Sequence, residues 1–116
     1  MLLHEYCIAA NRVNEQRQEQ RKVFKTRAAL VVGGAKWQAR TLDICSSGMC
    51  VAVSDPLKAG TTAEVAFDLF HDGKITPIQA RTKVSYCILS NGEFKVGMQF
   101  VSLDLGAMTT LAKFLR

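Results

Sequence analysis

The sequence predicts a mainly β protein, a six-stranded antiparallel barrel with a helical segment before it and an α-helix after it. Three observations carry this. From Ala28 onward the chain breaks into short runs rich in Val, Ile, Thr and Phe, and Gly, Asn and Asp turn signals separate them. No crossover helix lies between these runs, so the strands must be joined antiparallel. The last dozen residues instead carry apolar side chains three and four apart, which is helical spacing. A closed barrel suits such a chain because closure removes exposed strand edges.

Residues 2–22 read as a helix in two halves. Leu2, Leu3, Tyr6, Ala10 and Val13 recur at helical spacing, whereas NEQRQEQRK after them is polar all round. The first strand, Ala29–Val32, and the second, Lys36–Leu42, flank Gly33-Gly34, a two-residue hairpin signal. Gly48–Val53 follows and ends at the Asp55-Pro56 turn. In Thr62–Phe70, Val65, Phe67 and Leu69 alternate with Glu64, Ala66 and Asp68, the pattern of a half-buried strand. Asp72-Gly73 turns the chain into Ile75–Leu89, where Pro77 cannot donate to a ladder and so marks an edge or a bulge. Asn91-Gly92 makes the last hairpin, into Phe94–Val101. Leu105, Met108, Leu111, Ala112 and Leu115 form the stripe of the closing helix Leu105–Arg116, and Asp104 is its expected N-cap. Residues 1–27 and 28–116 are thus a motif-bearing segment and a barrel with its helix, forming one unit. Either helix's apolar stripe could cover the barrel or a second copy in a homodimer.

The 116 residues suffice for one core and not for two. Hydrophobic residues at 48% and charged residues at 22% exclude a disordered chain. The net charge of +5 favours an anionic partner, and it is unevenly placed. Residues 1–27 hold six basic and three acidic residues, and residues 28–116 hold nine and seven. The excess narrows to Arg17, Arg21, Lys22, Lys25 and Arg27, offset there by Glu19 alone. Cys7, Cys45, Cys50 and Cys87 form no CxxC pair and read as reduced thiols. Glu5 interrupts the apolar start before a signal-peptide core can form, and no apolar run reaches membrane-spanning length. The expected location is cytoplasmic, with no membrane partner.

Two local patterns carry chemistry. Arg17 and Arg21 have RxxxR spacing, which sets two guanidinium groups on one side of a helical turn. Asp43-Ile44-Cys45-Ser46-Ser47-Gly48 places a carboxylate at one strand's end and a glycine at the start of the next. A guanidinium fork matches guanine O6 and N7 and also phosphate oxygens, while a carboxylate accepts from guanine N–H groups. Together they describe a receptor for an anionic guanine nucleotide. Gly48 would let backbone approach the ligand or take a positive φ.

With these motifs in this order, the chain from Arg17 to its end resembles the PilZ domain family, receptors for cyclic di-GMP. The family pattern is RxxxR, then [DN]xSxxG, then a six-stranded barrel. Arg17 and Arg21 match the first motif, Asp43 and Gly48 the outer positions of the second, and Val96-Gly97-Met98-Gln99-Phe100-Val101 looks like the family's last strand. Where the family has Ser, this chain has Cys45. A thiol bonds more weakly than a hydroxyl, so binding should weaken by about tenfold or less. The resemblance implies a cyclic di-GMP site at Arg17, Arg21, Lys22, Asp43, Cys45 and Gly48, with Lys25 and Arg27 adding long-range attraction. It implies an N-terminal segment that wraps over the ligand, and a changed surface presented to an unidentified partner protein. One or two ligands fit this description.

Other chemistry finds little support in the residues. Seven residues from Cys45 to Val51 lack the Arg of a phosphatase loop, and His4 and His71 have no nucleophile motif around them. Neither His4 with Cys7 nor Cys45 with Cys50 completes a metal-ligand set. No enzyme activity, cofactor or metal is expected. Two alternatives remain. One is a PilZ-like adaptor without nucleotide binding. The other is a basic barrel for single-stranded nucleic acid, which needs Trp37, Phe67, Phe94 and Phe100 exposed as stacking platforms rather than buried as core.

Overall fold

A computed structural model describes residues 21–116. It contains seven strands, β1 Lys22–Val23, β2 Arg27–Val32, β3 Ala35–Ile44, β4 Gly48–Val53, β5 Thr62–His71, β6 Lys74–Ser90 and β7 Glu93–Leu103, followed by one helix, α1 Leu105–Leu115. All pairings are antiparallel, in the order β1-β3-β2-β5-β6-β7-β4, and pairing of β3 with β4 closes the six longer strands into a barrel. The two-residue β1 is an addition to the six expected strands.

Three of the expected hairpins form as the turn chemistry dictates. Gly33-Gly34, Asp72-Gly73 and Asn91-Gly92 each have both central residues at positive φ, the backbone that matches the twist of two paired strands. Inward positions alternate with outward ones as predicted on β5, where Val65, Phe67 and Leu69 are buried. Trp37, Phe94 and Phe100 pack against the core from the inner face and Phe67 lies within it. Pro77 sits opposite Asp68 of β5, in the part of β6 that lies beyond the end of β7 at Leu103. It therefore lies on a locally open edge, and the two bulges of β6 fall later, at Arg81/Thr82 and Val84/Tyr86.

Two expectations change. The helix expected over residues 2–22 lies outside the described residues except at its end, and there Arg21 is not helical and Lys22 begins a strand. Backbone pairing of Lys22 with Ile44 and of Val23 with Asp43 replaces the helical bonds. The second change concerns the face of α1. Asp104 caps it as expected, accepting from the Ala107 amide at 2.8 Å. Yet the buried side chains are Ala107, Leu111 and Phe114, and Leu105 and Met108 are exposed. The stripe and the inward face share Leu111 and the half-buried Leu115, and tertiary packing turns Ala107 and Phe114 inward in place of Leu105 and Met108. Phe114 is then held edge-on between the rings of Phe24 and His71, with centroids 5.4 and 5.9 Å away.

This orientation has a measurable consequence. In urea denaturation, Leu111→Ala should cost about 2–5 kcal/mol as a buried truncation, whereas Leu105→Ala should change stability by less than about 0.5 kcal/mol. Equal effects would contradict the rotated face.

Candidate functional site

The site is laid out by one row of paired residues. Val23, Asp43, Cys50, Gly97 and Tyr86 lie side by side across β1, β3, β4, β7 and β6. Directly paired residues project to the same face. Met49, Val51, Val96 and Met98 fill the core on the other face, so this row looks outward. Arg21 precedes Val23 by two residues and shares its face. Its guanidinium donates to the Asp43 carboxylate at 2.7 Å.

The base of β1 is anchored at Thr41. Its buried hydroxyl donates to the Phe24 carbonyl and accepts from the Thr26 amide at 2.8 Å, while the Thr41 amide donates to the Thr26 carbonyl. Every polar atom of that hydroxyl is thereby used, as burial demands. The anchor sets where the chain leaves the barrel and therefore where Arg21 stands.

Alternation sends Lys22 the other way. Its ammonium donates to the Phe114 carbonyl at 2.8 Å and stands 4.5 Å from the centroid of the Phe114 ring. A cation at the carbonyl end of a helix satisfies an orphan acceptor and complements the helix dipole. The structure thus brings Arg21 and Asp43 together and commits Lys22 to α1. Arg17 lies outside the described residues.

Cys45 and Gly48 close the turn after β3, with the Cys45 amide donating to the Gly48 carbonyl at 2.8 Å. Cys45 is buried, and its thiol lies 3.6 Å from the Ser47 hydroxyl. Gly48 does not take a positive φ. Its requirement is space, because a Cβ there would fall 2.1 Å from the Met98 carbonyl oxygen of β7. The close approach expected at this glycine is made by the protein's own backbone.

Tyr86 is the neighbour that sequence reasoning missed. Its ring lies over Gly97, where a Cβ would come within 2.2 Å of it, and its hydroxyl points to the Cys50 thiol at 3.8 Å. The available signal was Gly97 itself, since a glycine inside a strand marks a close approach. The floor of the site is therefore Cys50 and Gly97, with Tyr86 on one side and Arg21 with Asp43 on the other.

Charge and burial act together here. Burial alone lowers the Arg21 pKa, and the Asp43 carboxylate, with lesser help from Cys45 and Tyr86, more than offsets it, leaving the guanidinium held more firmly charged. Burial, then the Asp43 charge, pushes the Cys50 thiol from 9.0 up to about 11 against the pull of Tyr86, Arg21 and Lys95. Tyr86 is raised as well, by burial and then by Cys50. Both groups are neutral at physiological pH, so the cation and the carboxylate carry the chemistry. Among the described residues no cluster of His, Cys, Asp and Glu could hold a metal, and no helix is long and apolar enough to cross a membrane.

The Cys50 shift fixes a sign. The folded protein holds that proton more tightly than the unfolded chain, so its contribution to stability is complete below pH 9 and is lost as the pH rises to about 11. Denaturation midpoints measured across that window should fall, and should fall less in Cys50→Ala. An unchanged slope in the variant would assign the alkaline loss to other groups.

Comparison with known proteins agrees with this architecture. The PilZ domain family model matches residues 15–116. Among solved structures, the Bacillus subtilis Inhibitor of motility (MotI/DgrA) superimposes with a TM-score of 0.77 at 14% identity, covering 85% of this chain and 49% of that one. The Borreliella burgdorferi PlzA protein, in complex with c-di-GMP, gives 0.64 at 14% identity over 96% of this chain and 46% of its own. The PilZ domain of CeSA from a cellulose-synthesizing bacterium gives 0.56 at 18% identity, over 83% and 94%. The chain spans about half the length of the first two. No curated protein matches it by sequence.

Proposed function

The chain belongs to the PilZ domain family, and from that premise we propose that it is a receptor for cyclic di-GMP that signals to a partner protein. The observation that carries this reading is the Arg21–Asp43 pair on the outer barrel face, 2.7 Å apart beside the Cys50 and Gly97 positions. The PlzA protein's complex with the same nucleotide supports it. Arg21 would address guanine O6 and N7 or a phosphate, and Asp43 would accept from guanine N–H groups.

The ion pair suits a site that must open. Both side chains are partly exposed, 53% for Arg21 and 31% for Asp43, and such a pair contributes at most about 1 kcal/mol. A nucleotide offering charge-assisted bonds to both partners can displace it at small cost. In the meantime the pair holds both groups near the geometry the ligand needs, which lowers the ordering entropy paid on binding.

The same strand supplies a route for the signal. Arg21 reaches the ligand face and Lys22, its neighbour, holds the end of α1. Exchanging the Asp43 partner of Arg21 for a ligand would bear on the adjacent Lys22 and so on its hold on the Phe114 carbonyl. The surface around α1 then differs between the free and bound states, which is what a partner can read. The inward-facing aromatics argue against the nucleic-acid alternative, because Trp37, Phe67, Phe94 and Phe100 contribute to the core rather than to a stacking platform.

Calorimetry with cyclic di-GMP tests the receptor. Arg21→Ala and Asp43→Ala should each weaken binding by about tenfold or more, given the worth of a charged hydrogen bond, and Lys58→Ala should leave it unchanged. Cys45→Ser should tighten binding or leave it as it is. No heat from the wild type at concentrations well above micromolar would leave the adaptor without a nucleotide as the better reading. The relay has its own test in hydrogen exchange, where amides of α1 should lose protection when ligand is added. Unchanged protection with saturating ligand would place the signal elsewhere.

A further inference from the structure

We infer that Lys95 is a phosphate-binding residue of this site, standing across its floor from Arg21. The inference rests on the receptor reading and extends it to a residue outside both motifs.

Position is the first argument. Lys95 and Gly97 are two residues apart on β7 and face outward together. Lys95 is paired with Ala52 of β4 and Ile88 of β6, one outward row along from Cys50, Gly97 and Tyr86. With strands about 4.8 Å apart and residues about 3.4 Å apart, the Cα atoms of Asp43 and Lys95 are separated by about 12 Å. Two long cationic side chains, one from each end, thus bracket the Cys50–Gly97 floor. Cyclic di-GMP carries two phosphodiesters, and a pair of cations on opposite sides suits them better than one.

Availability is the second. Glu93 is the acid that shares the outer face of β7 with Lys95, and both its oxygens are already held by Arg40, at 2.6 and 2.7 Å. No ion pair to Lys95 is formed among the described residues. Its side chain is exposed, so it can turn toward an anion without breaking a bond. Its charge is also felt on the floor, where Lys95 and Arg21 both act to lower the pKa of the buried Cys50 thiol. Lys22, by contrast, would have to leave the Phe114 carbonyl and cross to the other face.

Lys83 supplies an internal control. It is an exposed lysine in the outward row on the opposite side, paired with Gln99, which in turn pairs with Gly48. Cyclic di-GMP binding should be measured by calorimetry at low and at physiological salt for the wild type, Lys95→Ala and Lys83→Ala, with thermal melts alongside. Lys95→Ala should weaken binding by about tenfold, the worth of a charge-assisted bond, and flatten its salt dependence, with the melting temperature unchanged. Lys83→Ala should bind like the wild type. If the wild type binds and Lys95→Ala binds equally well, Lys95 has no such role while the receptor reading stands. Equal weakening by Lys83→Ala would mean a diffuse field rather than a seat, and would also overturn the assignment. Absence of binding by the wild type overturns both readings at once.

Discussion

The backbone pairing of Lys22 with Ile44 and of Val23 with Asp43 is the constraint on which the candidate functional face depends. It is short, and by itself a two-residue ladder would be worth little against the entropy of ordering it. It persists because Thr41 binds the following turn from beneath and because Phe24 drives its ring against Phe67 and Phe114. Once β1 lies on β3, the two-residue period of an extended chain decides the rest. Arg21 must face outward beside Asp43, and Lys22 must face α1.

The barrel supplies the other half of the site by what it lacks. Gly48 allows β4 to lie close against β7, and Gly97 allows the Tyr86 ring to lie flat across the sheet. Side chains at either position would separate groups that now form one surface. The floor between them is small and nearly uncharged, since Cys50 and Tyr86 keep their protons. Around such a floor stand Arg21, Asp43 and Lys95, while the nearby Arg40 and Glu93 are spent on each other.

How much of this was legible in the sequence depended on the range of the interactions involved. The three hairpins were readable because Gly33-Gly34, Asp72-Gly73 and Asn91-Gly92 satisfy a local backbone requirement. The cap at Asp104 was readable for the same reason. Arg21 and Asp43 were found as candidates through their motifs, although 22 residues separate them. The buried face of α1 was misjudged, because Leu105 and Phe114 are both apolar and periodicity cannot say which one meets a core. Tyr86 and Lys95 were missed because they sit on β6 and β7 in no local pattern, and a β-bulge between Val84 and Tyr86 shifts the register that places the tyrosine.

The sequence by itself determined the kind of structure and the chemistry available to it: an antiparallel barrel with a closing helix, a basic segment before it, and a guanidinium and a carboxylate suited to a guanine nucleotide. These follow from turn geometry, alternation and side-chain chemistry, all of which act within a few residues. Only the tertiary structure decided which cations face the floor. Arg21 and Lys22 are adjacent and both positive, so composition and spacing treat them alike. Pairing with β3 separates them by the width of a sheet, giving one to the site and the other to the end of a helix, because neighbours on a strand cannot share a face.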